Sequence, residues 1–191
     1  MKFLRLTCIS LLVLATSSPA WASDLEVALS SDTAQFTLRS DSSLIGWGGA
    51  DLGLGFFYND ESDIVFDASL MQMRQASEED PLTLGVGVRA YLGTIDDLDE
   101  DIATLAVGGE VRYTIPGRMP MAAYARVFYA PKITSFSDAE DLLDYTFGFQ
   151  IEALPQTIAF VGIRNFEVGT EDDGDYELDD SNLHVGVRLT F

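Results

Sequence analysis

Apolar residues recur at every second position through most of this chain. In 44–57, Ala50, Leu52, Leu54 and Phe56 alternate with Gly49, Asp51, Gly53 and Gly55. In 62–74, Ile64, Phe66, Ala68 and Leu70 alternate with Asp63, Asp67 and Ser69. The segments 82–93 and 103–115 carry Leu82, Leu84, Val86, Val88, Ala90, Leu92 and Leu105, Val107, Val111, Tyr113, Ile115 in the same way, and 121–130, 143–153, 157–167 and 181–191 continue it. A period of two marks strands with unlike faces, whereas a helical stripe repeats every 3.6 residues. Clusters of Asp, Gly, Pro and Ser separate the segments and supply turns. Residues 25–30 and 34–39 read as a shorter first hairpin. The pattern predicts one domain over 23–191, an all-β antiparallel up-and-down barrel of about ten strands, or eight if the first hairpin lies outside it.

Composition decides which solvent each face meets. Of 191 residues, 11 are Lys or Arg and 31 are Asp or Glu, yet 47% are hydrophobic and mean hydropathy is +0.13. A disordered acidic chain would be far less apolar. The sequence pI of about 4.1 excludes nucleic acid as a partner, because phosphate recognition needs clustered Lys and Arg. Residues 1–22 read as a cleaved signal peptide: Lys2 and Arg5 precede the apolar run Leu6–Ala15, and Ala20-Trp21-Ala22 has the small-x-small form of a cleavage site. The lone Cys8 lies inside that segment, which leaves an exported chain without disulfides.

Beyond residue 22, Lys132 is the single lysine, and the polar face holds Gly, Ser and Thr with charges of both signs: Arg89, Arg112, Arg126, Arg164 and Arg188 against Asp51, Asp67, Glu110 and Glu152. A soluble barrel's outer face would be dense in charge. Small residues and mixed charges suit a narrow lumen, and the continuous Leu, Val, Ile and Phe face suits lipid. Strands of about ten residues span a bilayer when tilted, and closure leaves no backbone edge in hydrocarbon. The expected location is the outer membrane of a Gram-negative bacterium, after export to the periplasm, as a monomer among outer-membrane lipid and lipopolysaccharide. The last strand, with Leu183, Val185, Val187 and Leu189 ending on Phe191, has the form that the barrel-assembly machinery recognises.

With the C-terminus on the periplasmic side, the outer loops are 31–33, 58–62, 94–102, 131–142 and 168–180, and twenty of the 31 acids fall at or beside them, Asp63, Asp144 and Asp179 included. The inner turns 40–43, 75–81, 116–120 and 154–156 are mostly shorter and hold few acids.

The chain resembles the YfaZ family of small bacterial outer-membrane barrels over nearly its whole length. The resemblance rests on Asp32-Thr33-Ala34-Gln35, Leu52-Gly53-Leu54-Gly55-Phe56-Phe57-Tyr58-Asn59, Leu82-Thr83-Leu84-Gly85-Val86-Gly87, Phe128-Tyr129-Ala130-Pro131 and His184-Val185-Gly186-Val187-Arg188-Leu189-Thr190-Phe191. It implies an outer-membrane barrel, sometimes porin-like, and brings no catalytic motif.

Chemistry in the sequence is sparse. An enzyme would need a nucleophile with a base, or a paired acid and base. The one histidine, His184, has Asn182 and Gly186 as its same-face neighbours, and reads as a lumen hydrogen-bonding residue. Glu110 and Arg112 share a face and suit an ion pair. Tyr58, Tyr113, Tyr129 and Tyr145 near strand ends suit an interfacial girdle. The run Glu171–Asp180 lacks the spacing of an EF-hand, and Asp172, Asp173, Asp175 and Asp179 are expected at most to bind Ca²⁺ or Mg²⁺ weakly. The expected role is non-enzymatic, either structural and surface-interacting or narrowly porin-like. The alternatives are an outer-membrane enzyme acting on lipid or peptide, and a soluble periplasmic barrel for a hydrophobic ligand.

Overall fold

The computed structural model describes residues 23–42, 49–75, 77, 80–96, 100–117, 119–170 and 174–191. The expected signal peptide, the start of the 44–57 segment, and Asp172 and Asp173 lie outside them.

Eleven strands follow one another: β1 (Ser23–Leu29), β2 (Thr33–Asp41), β3 (Asp51–Asn59), β4 (Ile64–Gln75), β5 (Leu82–Ile95), β6 (Glu100–Ile115), β7 (Met121–Ala130), β8 (Ser135–Ser137), β9 (Ala139–Leu154), β10 (Thr157–Thr170) and β11 (Gly174–Thr190). A 3-10 turn, Lys132–Thr134, precedes β8. All pairings are antiparallel, and the sheet closes through β5–β6 at one end of the strand order and β1–β11 within it. Ten strands form the wall. The three-residue β8 only patches the outer end of β6, where β7 has already stopped. The count is therefore ten, and the first hairpin belongs to the barrel.

Ser23 and Phe191 meet at what we call the inner end, each donating its N–H to the other's carbonyl, at 3.1 and 3.0 Å. The inner turn between β9 and β10 is tight. At 154–157, Pro155 is followed by Gln156 at φ 64°, the left-handed position that a type II turn demands.

The outer end departs from the sequence expectation. The stretch assigned to a long loop, 168–180, is mostly ladder: Val168 pairs with Tyr176, Gly169 with Asp175 and Thr170 with Gly174. The acidic run still contains apolar Tyr176 and Leu178 on a strand phase, and pairing with β10 wins over turn chemistry. The wall is uneven as a result. β1 has 7 residues and β11 has 17, so β11 rises well beyond its seam partner. The turns of the first hairpins cover the difference: Asn59 donates its amide to the Leu178 carbonyl at 3.4 Å, and Tyr176 donates its hydroxyl to Glu61 at 2.8 Å and Asp63 at 3.1 Å. Burial, and then the bond to Glu61, push the Tyr176 phenol above its usual range.

Each strand turns one phase outward. Leu54, Phe66, Val86, Leu92, Val107, Phe149 and Leu183 are all more than half exposed. Tyr58, Tyr113 and Tyr129 are exposed with them. The opposite phase fills the lumen.

Candidate functional site

The lumen is the region where charge and burial coincide, and it is organised in three tiers. The first lies at the inner end. Glu26 of β1 faces Arg188 of β11 in register across the closing seam, and Glu110 of β6 faces Arg126 of β7. Arg188 donates through Nε to Glu26 at 2.8 Å, and Arg39 of β2 reaches the same carboxylate at 3.2 Å. Arg126 donates to Glu110 through Nε at 2.9 Å, and Arg112 through Nη2 at 2.5 Å. Each glutamate thus gathers two guanidiniums, so neither buried carboxylate is left uncompensated.

The second tier crosses the lumen. Asp144 of β9 accepts Arg164 Nε and Nη2, each at 3.1 Å, from the neighbouring β10. It also accepts Arg89 Nη1 at 3.1 Å and the Tyr91 hydroxyl at 2.9 Å from β5, which is not its neighbour in the wall. Arg89 is anchored in turn to Asp67 of β4 at 2.9 Å, and Arg164 to Gln35 of β2 at 3.2 Å. This network ties β2, β4, β5, β9 and β10 together through the middle of the barrel. Asp144 was expected beside an outer loop. The outward phase of Phe147 and Phe149 instead carries Asp144, Thr146 and Gly148 inward.

The third tier, toward the outer end, is apolar. Phe166 packs against Phe57 and Tyr91 with ring centroids at 5.6 and 5.4 Å. Arg164 lies over the Phe57 and Phe166 rings, at 5.0 and 4.7 Å. Val65, Ile95, Ile102, Leu142, Val168 and Leu178 complete a buried cluster above them. Desolvated guanidiniums flanked by carboxylates and aromatic faces are held in single geometries.

Among the described residues, two cavities deep in the lumen hold about 30 and 20 Å³, room for one or a few waters each. His184 is buried at the edge of the second, edge-on to Phe160 with centroids 5.9 Å apart, and its Nδ1 has no hydrogen-bond partner. Thr33, Tyr124, Thr146, Arg164 and Asp179 line that cavity with it.

Of the four aspartates read as weak cation ligands, Asp172 and Asp173 lie outside the described residues. Asp175 is exposed on the outer hairpin. Asp179 is buried on the lumen side, where the Thr33 hydroxyl donates to it at 3.5 Å. Among the described residues, no three His, Cys, Asp or Glu side chains converge on a metal-sized point. The sequence reading missed Glu26 and Arg39 as lumen charges. The signal was present, since Leu25, Val27 and Leu29 face outward and send Glu26 inward.

No protein-family model and no curated protein matches the chain. Among solved structures, CdiB from Acinetobacter baumannii is similar at 10% identity, with a TM-score of 0.23, over 90% of this chain. The chain spans about 60% of that protein's length. A likeness this distant leaves the functional reading to the chain's own residues.

Proposed function

We propose that this chain is a non-enzymatic protein of the Gram-negative outer membrane, a YfaZ-like barrel with a plugged lumen that serves a structural or surface-interacting role. The observation that carries the reading is its inverted polarity. Buried Arg, Asp and Glu occupy the interior while Leu, Val and Phe stand exposed around the wall, an arrangement that water penalises and hydrocarbon favours. The acidic residues gathered at the outer end fit an outer face toward the medium.

Fractionation tests this reading. The protein is expected in the membrane pellet after a carbonate wash, and its folded form is expected to run differently on a gel before and after boiling. Recovery in the soluble periplasmic extract would sink the proposal.

The filled lumen separates this role from that of a porin. Purified protein in a planar bilayer is expected to give no stable conductance steps, because Asp144 bridges opposite walls and the aromatic tier closes the outer half. Reproducible ion-selective steps from pure protein would favour a pore instead.

A further inference from the structure

Two adjoining pockets at the inner end have opposite character. On the outside of the wall, the small side chain of Ala159 lies among Ile115, Met121, Phe149, Ile151 and Val161, leaving an apolar groove of about 370 Å³. Around the rim, in the mouth of the lumen, a pocket of about 240 Å³ is lined by Arg112, Glu152, Thr83 and Thr114. Met121 and Gln150 line both, so apolar groove and polar pocket meet where β7 begins.

Among the described residues, the polar pocket offers one charge of each sign. Arg112 gives Nη2 to Glu110, but its Nε is buried without a hydrogen-bond partner. Glu152 stands exposed at the same mouth. A purely anionic ligand would satisfy Arg112 and meet Glu152 as a like charge. A quaternary ammonium would meet Glu152 without donating a hydrogen bond to it. A phosphate ester carrying a primary ammonium satisfies both, and an acyl chain attached to it would reach the apolar groove.

We propose that this paired site holds one phospholipid of the phosphatidylethanolamine type, with an acyl chain along Ala159 and Val161, its head group turned over the rim at Pro120, the phosphate on Arg112 and the ammonium on Glu152. The inference rests on the membrane reading above, which places a bilayer against this end of the wall.

Native mass spectrometry of the refolded protein in non-ionic detergent, offered matched-chain phosphatidylethanolamine, phosphatidylglycerol and phosphatidylcholine, tests it. One retained lipid is expected, with phosphatidylethanolamine favoured roughly tenfold, the size of one charge-assisted hydrogen bond. Glu152→Gln, at an exposed position, is expected to abolish the preference over phosphatidylcholine, and Ala159→Phe to reduce retention of all three by filling the groove. Boiling-dependent gel mobility establishes that each variant is folded. Equal retention of the three lipids, a preference for phosphatidylglycerol, or selectivity untouched by Glu152→Gln would each overturn the site. The outcomes separate from those of the membrane reading. Soluble recovery in fractionation defeats the location whatever the lipid data say, and an outer-membrane protein without lipid selectivity defeats only this inference.

Discussion

Asp144→Ala is expected to lower the stability of the folded barrel by about 3–5 kcal/mol, the range for breaking a buried ion network by removing one partner. Asp144 is 3% exposed and accepts from Arg89, Arg164 and Tyr91 at once. Its loss leaves Arg164 with Gln35 and two aromatic faces, and leaves Arg89 with Asp67 as its one carboxylate and the Tyr91 and Phe128 rings. Neither guanidinium can shed its charge, and both remain buried, so the cost is the solvation that they cannot recover. Asp144→Asn keeps the shape and one acceptor oxygen, and is expected to fall between wild type and alanine. Urea titration of the refolded protein measures the shift, and raised salt is expected to leave it nearly unchanged because the pairs are shielded from solvent. A midpoint for Asp144→Ala equal to that of wild type would show that the tie across the lumen carries no stability. Glu26→Ala is the informative comparison. Its partner Arg39 is 20% exposed near the mouth, and water can resolvate part of what the substitution strands, so a smaller loss is expected there.

The period-two pattern was sufficient for the wall because one face meets one environment along most of each strand. Val86, Val88 and Leu92 outward with Gly87, Arg89 and Tyr91 inward is an unambiguous phase, and a slip of one residue would invert it. The five lumen arginines and the Glu110–Arg112 pair were legible for the same reason. Legibility failed at the outer end, where both phases are apolar. Phe56 and Phe57 follow one another, as do Ile64, Val65 and Phe66, and alternation cannot report that Phe57 and Val65 enter a buried cluster while Phe66 stays outside. It failed again where acids are buried at strand ends or on a strand. Asp63, Asp144 and Asp179 look like loop residues by composition, yet all three are buried, because each has a donor waiting: Asn59 for Asp63, Arg164 for Asp144 and Thr33 for Asp179. Those donors come from other strands or across a turn, and only closure of the barrel brings most of them into reach. The link between Asp144 and Arg89 joins residues 55 apart in the chain, and no local pattern encodes it.

Gly108→Val is expected to prevent the barrel from reaching its native state, a loss beyond about 4–5 kcal/mol, which single substitutions seldom cause without a specific steric reason. Gly108 of β6 pairs with Gly87 of β5 on one side and with Phe128 of β7 on the other. A Cβ at Gly108 would fall well inside van der Waals contact of the Val127 carbonyl oxygen, and 2.6 and 2.8 Å from Cδ1 and Cα of Phe128. Two of those three atoms are backbone of the adjacent strand and cannot swing aside as a side-chain end could. Gly87 is similarly placed, 2.8 and 2.9 Å from Cγ and Cα of Met71. Paired glycines at this point let the neighbouring strands' backbone and side chains approach closely, a role that glycine commonly takes within strands. Valine would force β7 away from β6 and move Phe128, whose ring lies under the Arg89 guanidinium at 5.5 Å, so the cross-lumen network would lose its support together with the ladder. Gly117→Ala is the control. Its Cβ would meet only the Met119 carbonyl at 3.7 Å, an ordinary contact, and stability within about 0.5 kcal/mol of wild type is expected, as at unconstrained surface sites. Refolding yield, read as the fraction with the folded gel mobility, distinguishes the two. Wild-type yield and urea midpoint for Gly108→Val would mean that the wall tolerates a side chain there and that the close approach of β7 does not depend on this glycine.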